Sequence, residues 1–183
     1  MTTNQYTGNI QPTWIKRVRL LDKLEAAVHH KLSLVIAPPG YGKTTTVTQF
    51  IRGTNIAAVW YTLDKRDRDL PILFEHIQRT LSTIIPDIQE LEPLPGTTPS
   101  ELATLLTDCL DEHLAEDCLL VLDDIHELLE APEVKIWLNS LIAVLPSKCH
   151  LILIGHAFPP LNVTDLIAYQ KIISIGQEHL SFD

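Results

Sequence analysis

Residues 32–46 read LSLVIAPPGYGKTTT, and this order leaves few folds open. An apolar, strand-forming run (Leu32, Leu34, Val35, Ile36) halts at Ala37-Pro38-Pro39. Gly40, Tyr41, Gly42, Lys43 and Thr44 then open a segment able to be helical. Glycines let a backbone curl until successive N–H groups aim at one point. A helix starting there adds the positive end of its dipole. Strand, glycine loop and helix in this order form a phosphate-binding loop, in which Lys43 reaches the β- and γ-phosphates and the Thr44 hydroxyl ligates Mg²⁺. Pro39, Gly40, Tyr41, Gly42, Lys43, Thr44 and Thr45 are the candidate nucleotide contacts, and Lys43 is also a candidate catalytic group. The pattern G-x-x-x-x-G-K-[ST] asks for glycine at 37, where this chain has Ala37, the smallest replacement. The competing reading, a Gly/Pro turn before a helix with an exposed lysine, lacks a reason for the strand that precedes it.

The 183 residues suffice for one α/β domain with a sizeable core. A net charge of −9 argues against direct DNA binding, which needs clustered Lys and Arg. Three cysteines (Cys109, Cys118, Cys149) without a C-x-x-C suggest neither a disulfide framework nor a zinc site. Cys118 and Cys149 each open an apolar run and are expected to pack as small hydrophobes. The sequence has no apolar stretch of membrane-spanning length and no leader, so a reducing, cytoplasmic setting is expected.

Residues 1–14 read as a flexible segment and residues 15–183 as the domain. A helix is expected over 19–29, with Leu20, Leu21, Leu24, Ala27 and Val28 on one face. Strands are expected at 32–37, 57–63, 118–122, 150–154 and 171–175. Helices are expected at 43–52, 70–85, 100–115, 132–145 and 161–169. Residues 86–99 carry four prolines and read as a surface connection, and the charged run 64–69 (DKRDRD) as an exposed loop. Strands alternate with helices, and the apolar runs are continuous, as strands buried on both faces require. The expected architecture is an α/β three-layer sandwich around a parallel five-stranded sheet, the P-loop NTPase fold.

The run Leu119-Leu120-Val121-Leu122-Asp123-Asp124 is a hydrophobic strand ending in two carboxylates, the Walker B form. Ligands of open α/β sheets bind at the carboxyl ends of strands. Asp123 is therefore the expected Mg²⁺ partner of Thr44, and Asp124 the expected general base that polarises water. Alone, the pair reads equally well as a strand followed by a helix cap. After the loop at 37–44, two parts of one machine stand in order. The strand at 150–154 ends at Gly155-His156, and His156 is either a γ-phosphate sensor or a solvated loop histidine. His126 reads as a helix-start residue.

Arg17-Val18-Arg19-Leu20-Leu21, VIAPPGYGKTT, VWYTLDKRDRDLPILF, LLVLDDIHEL and LILIGHAFPPL together resemble the nucleotide-binding domain of MalT-like, LuxR-type transcriptional activators. These are STAND-class P-loop NTPases, relatives of NB-ARC and NACHT domains. The resemblance runs from about Ile15 onward, and its more specific parts are Trp60 to Asp64 and the Pro-Pro-Leu at 159–161. It implies a domain that binds ATP or ADP, hydrolyses slowly and uses the nucleotide as a switch, with ATP plus an inducer favouring self-association. It also implies that Arg17 and Arg19 pass near the nucleotide. The family ends its sensor strand in Ser/Thr-Arg, where this chain has Gly155-His156, replacing a permanent guanidinium by a shorter, titratable ring. The family continues with a helical segment, a winged helix, inducer-binding repeats and a helix-turn-helix, so the chain is expected to be an excised domain.

Two further functions compete with a slowly hydrolysing switch. One is a nucleotide-binding assembly module without meaningful turnover. The other is a metabolic kinase or a motor subunit. A kinase calls for an arginine-rich lid that is not found, and a motor for an arginine finger, for which Arg66 and Arg68 are weak candidates.

Overall fold

The computed structural model describes residues 23–25, 29–128, 130–157, 161 and 172–176, with side chains throughout except at 172–175. The expected N-terminal segment, Arg17, Arg19, the Pro-Pro of 159–160 and the expected helix after Leu161 lie outside the described residues. So does most of the helix expected at 19–29, of which residues 23–25 are helical and Leu24 is fully buried.

Five strands, β1 (Leu32–Ile36), β2 (Ala57–Thr62), β3 (Cys118–Asp123), β4 (Cys149–Gly155) and β5 (Ile172–Ile175), form one sheet in the order β2-β3-β4-β1-β5. Every pairing is parallel. Alternation along the strands divides the core in two. Leu120, Leu122, Leu151 and Leu153 face α2 (Leu70–Leu81), α3 (Pro99–His113) and α4 (Pro132–Val144). Leu119, Val121, Ile152 and Ile154 face α1 (Lys43–Gly53), through Val47, Phe50 and Ile51, and Leu24. That is the expected three-layer sandwich. β3 and β4 are buried along their whole length, which explains why their apolar runs do not alternate.

Helix starts follow local chemistry. Pro71, Pro99 and Pro132 occupy first-turn positions, where a missing N–H costs nothing. Asp69 caps α2, and Thr98 with Glu101 forms a reciprocal capping box on α3. The helix expected to run to 85 stops at Leu81. The Gln78 amide donates to the carbonyls of Ile88 (3.0 Å) and Leu91 (2.9 Å) and holds the chain in a 3-10 turn, Pro86–Glu90, inside the proline-rich connection.

The run 64–69 is largely exposed, as its charges suggest, but it is an ordered turn and not all of it is solvated. Lys65–Arg68 is a 3-10 turn with a capping box between Asp64 and Asp67. Asp67 is fully buried. Its carboxylate accepts from the Tyr61 hydroxyl (2.9 and 3.1 Å) and the Asp64 amide (2.6 Å), and lies 2.8 Å from His76 Nδ1.

Cys118 and Cys149 are register partners on adjacent strands, both buried and both free thiols. The hydrogen bond with Cys118, and then burial, raise the Cys149 thiol well above its ordinary pKa, so the pair stays uncharged and packs as an apolar element. No helix among the described residues is long and apolar enough to cross a membrane.

Candidate functional site

The site lies at the carboxyl ends of β1, β3 and β4. Between β1 and α1 the backbone turns through Gly40 (φ 87°) and Gly42 (φ 76°), left-handed conformations that disfavour any side chain. Ala37 does not share this geometry, since Asp124 alone among the described non-glycine residues has a positive φ. Position 37 therefore tolerates a methyl. Ala37 is buried, and its amide donates to the Gly155 carbonyl at 3.2 Å, which ties the loop to the β4 tip.

Gly42 caps α1, and its carbonyl accepts from both the amide and the hydroxyl of Thr46 (2.9 Å each). The amides of Lys43, Thr44 and Thr45 fall in the first turn, where an α-helix has no internal acceptor for them. No acidic side chain occupies that turn. A helix start with these features favours an anion.

Lys43 folds back over the loop, its ammonium donating to the carbonyls of Ala37 (2.7 Å) and Pro38 (3.1 Å). Burial lowers its pKa, and the charges of Asp123 and Asp124 oppose that. The Thr44 hydroxyl donates to Asp123 Oδ2 at 3.0 Å, joining the loop after β1 to the tip of β3 across 79 positions of sequence. The other Asp123 oxygen accepts the Asp124 amide at 2.9 Å. Asp123 is buried, and burial pushes its carboxyl pKa up, against the pull of those two hydrogen bonds.

Asp124 sits at φ 60°, a conformation costing an L-residue about 1 kcal/mol. Aspartate is among the side chains that tolerate it best, and the chain needs it to leave β3 and enter the 3-10 turn Ile125–Leu128. Half of the Asp124 side chain is exposed. Within this turn His126 stacks on His156 from the β4 tip, ring centroids 3.6 Å apart and planes 36° inclined. His126 Nδ1 lies 3.7 Å from Asp124 Oδ1.

The fold thus brings Pro39 to Thr45, Asp123, Asp124 and His156 to one end of the sheet. β4 lies between β1 and β3, so its tip stands between the loop and the carboxylates of Asp123 and Asp124. His156 is exposed just past the end of β4, as a solvated loop histidine would be, and its ring also lies against that of His126. Arg66 pairs with Asp64, and Arg68 with Glu127, Glu130 and the Glu127 carbonyl, so both arginines brace their own domain. Sequence reasoning missed the Tyr61–Asp67–His76 cluster and the contact between His126 and His156. The spacing of Asp64 and Asp67, an acid three residues after a capping residue, was the available signal for the first.

An all-parallel sheet with this loop at β1 and paired carboxylates at a non-adjacent strand defines a P-loop NTPase. Residues 26–158 match the AAA domain family, and the chain belongs to it. Across 92% of its length it is similar to the HTH-type transcriptional regulator MalT of Vibrio cholerae (30% identical) and of Vibrio parahaemolyticus (29%). It spans 19% of the length of these relatives. Among solved structures it resembles a Walker-type ATPase of Pyrococcus abyssi (TM-score 0.54, 19% identity, 78% of this chain and 45% of that one). It also resembles the Aeropyrum pernix ORC1 protein in complex with DNA (TM-score 0.54, 17%, 96% and 47%). At these identities the structures speak to the fold alone.

Proposed function

We propose that residues 15–183 form an ATP-binding, slowly hydrolysing switch domain of the STAND class, belonging to a signal-responsive, cytoplasmic transcriptional activator of the LuxR type. The Thr44–Asp123 hydrogen bond beneath the Gly40–Gly42 turn carries this reading. It joins the two halves of a nucleotide site that the sequence separates, and the similarity to MalT supplies the regulatory context.

The residues fit the groups such a site takes. Two hard oxygens, the Thr44 hydroxyl and the Asp123 carboxylate, would hold Mg²⁺, which neutralises phosphate charge when bound. No cage of three His, Cys, Asp or Glu side chains exists among the described residues. Mg²⁺ characteristically takes only one or two protein oxygens and completes its shell with phosphate and water. The amides from Gly40 to Thr45 receive phosphate oxygens. Lys43 exchanges two neutral carbonyl acceptors for phosphate, a charge-assisted and stronger bond. Asp124 accepts the proton of the attacking water, its exposed carboxylate standing beside the buried Asp123. His156 takes the place of the family's sensor arginine. Arg17 and Arg19 contact the nucleotide from the segment ahead of β1. The inducer-binding and DNA-binding parts belong to the longer relatives, and DNA contact is not assigned to this domain.

Single-turnover assays with Mg²⁺-ATP test the reading against that of a binding module without turnover. ADP formation, slowed but measurable in Asp124→Asn with ATP affinity retained, is the expected outcome. ATP binding without ADP over hours would leave a switch driven by exchange alone.

A further inference from the structure

The Asp124 carboxylate is half exposed and accepts no hydrogen bond among the described residues, so the fold must aim it by other means. The approaching group is His126. Its Nδ1 is buried without a hydrogen-bond partner and lies 3.7 Å from Asp124 Oδ1, while Nε2 is 3.8 Å from Glu127 Oε1. A small rotation of the half-exposed Asp124 side chain closes the first gap to hydrogen-bond length.

The imidazole is held for this by the His156 ring, 3.6 Å away. That stack depends on Gly155. A Cβ built there would lie 2.7 Å from Ile125 Cγ2, so glycine is what lets the β4 tip reach the turn after β3. Gly155 and His156 thus give the β4 tip a contact, through His126, with the turn that carries Asp124.

We infer that His126 is a positioning residue: packed against the His156 ring, it offers Nδ1–H to the Asp124 carboxylate and sets that carboxylate's direction at the end of the sheet where Asp123 and the glycine loop lie. The inference rests on the reading of Asp124 as the base. A phosphate that moves His156 would act on Asp124 through this pair of rings.

The test uses the full 183-residue chain with Mg²⁺-ATP. His126→Phe keeps a ring in the stack and removes Nδ1. Turnover is expected to fall about tenfold, at the lower end of general-base effects, with ATP affinity unchanged. His126→Asn, whose amide can stand where Nδ1–H stood, is expected to restore part of the rate. His156→Ala, which removes the ring against His126, is expected to lose at least as much as His126→Phe. Adding His126→Phe to Asp124→Asn should cost nothing more. Wild-type turnover in His126→Phe, or a full additive loss in the double variant, overturns the role of His126 alone. Unchanged turnover in Asp124→Asn overturns it together with the reading on which it rests. Imidazole ¹⁵N spectra give a readout independent of turnover. The His126 Nδ1 signal should report the protonated tautomer and shift in both Asp124→Asn and His156→Ala; indifference to both substitutions refutes the contact.

Discussion

Two carboxylates are buried near the ends of neighbouring strands, Asp67 just past β2 and Asp123 at the tip of β3, and they are satisfied in opposite ways. Asp67 is surrounded by a hydroxyl, an amide and an imidazole, all from residues 61–76. Those donors neutralise its hydrogen-bonding demand locally. Asp123 has one hydroxyl and one amide, and Lys43 is turned toward loop carbonyls instead of it. Burial consequently raises its pKa. A buried carboxylate with its donors in place is a structural brace. One left short of donors, beside a hydroxyl and a helix N-terminus, is equipped to receive a cation.

Substituting the two should therefore have opposite consequences. Asp67→Ala removes the shared acceptor of Tyr61, the Asp64 amide and His76, and is expected to destabilise the domain by about 3 kcal/mol. Urea melts would show a lower midpoint with an unaltered slope. Asp123→Asn should change stability by no more than about 1 kcal/mol, because its carbonyl still accepts the Asp124 amide and its NH₂ still meets the Thr44 hydroxyl. The same variant should lose the Mg²⁺ dependence of ATP binding. If Asp123→Asn unfolds as Asp67→Ala does, the two carboxylates are alike and the comparison fails.

Lys43→Ala sharpens it from the other side. Among the described residues the ammonium binds only main-chain carbonyls of its own loop, so its removal should lower stability by no more than about 1 kcal/mol. ATP affinity should fall about tenfold, the worth of one charge-assisted hydrogen bond. A variant that unfolds as much as it loses affinity would make Lys43 a loop brace.

What the sequence disclosed and what it hid divide along the same line. The loop, the strands along the chain and the carboxylates that end β3 were legible because their signals are local: glycines where φ must be positive, unbroken apolar runs where both faces are covered, prolines at helix starts. Asp67 was hidden because DKRDRD has the composition of a solvated loop, and its burial depends on Tyr61 and His76, which reach it from β2 and α2. The His126–His156 stack joins residues that only the placement of β4 beside β3 brings together. The end of α2 was misjudged because apolar spacing continues through Ile84 and Ile85, while the Gln78 side chain decides where the chain turns.

The smallest expected effect concerns Asp64, the exposed counterpart of Asp67 in the same turn. Its carboxylate is hydrogen-bonded by the Arg66 guanidinium and then by the Arg66 amide, which hold its pKa down to about 2. A carboxyl whose folded pKa lies below its unfolded value binds fewer protons folded than unfolded. Its contribution is therefore complete above about pH 4, the ordinary range for aspartate, and is lost as the pH falls toward 2. Asp64→Asn, which can still cap the turn, should flatten this limb of the stability curve and leave the neutral region nearly unchanged. Because the pair is exposed, salt should shrink the difference between parent and variant, whereas the loss in Asp67→Ala should persist at high ionic strength. A salt-sensitive Asp67→Ala would show that the buried brace acts mainly through charge and not through its hydrogen bonds.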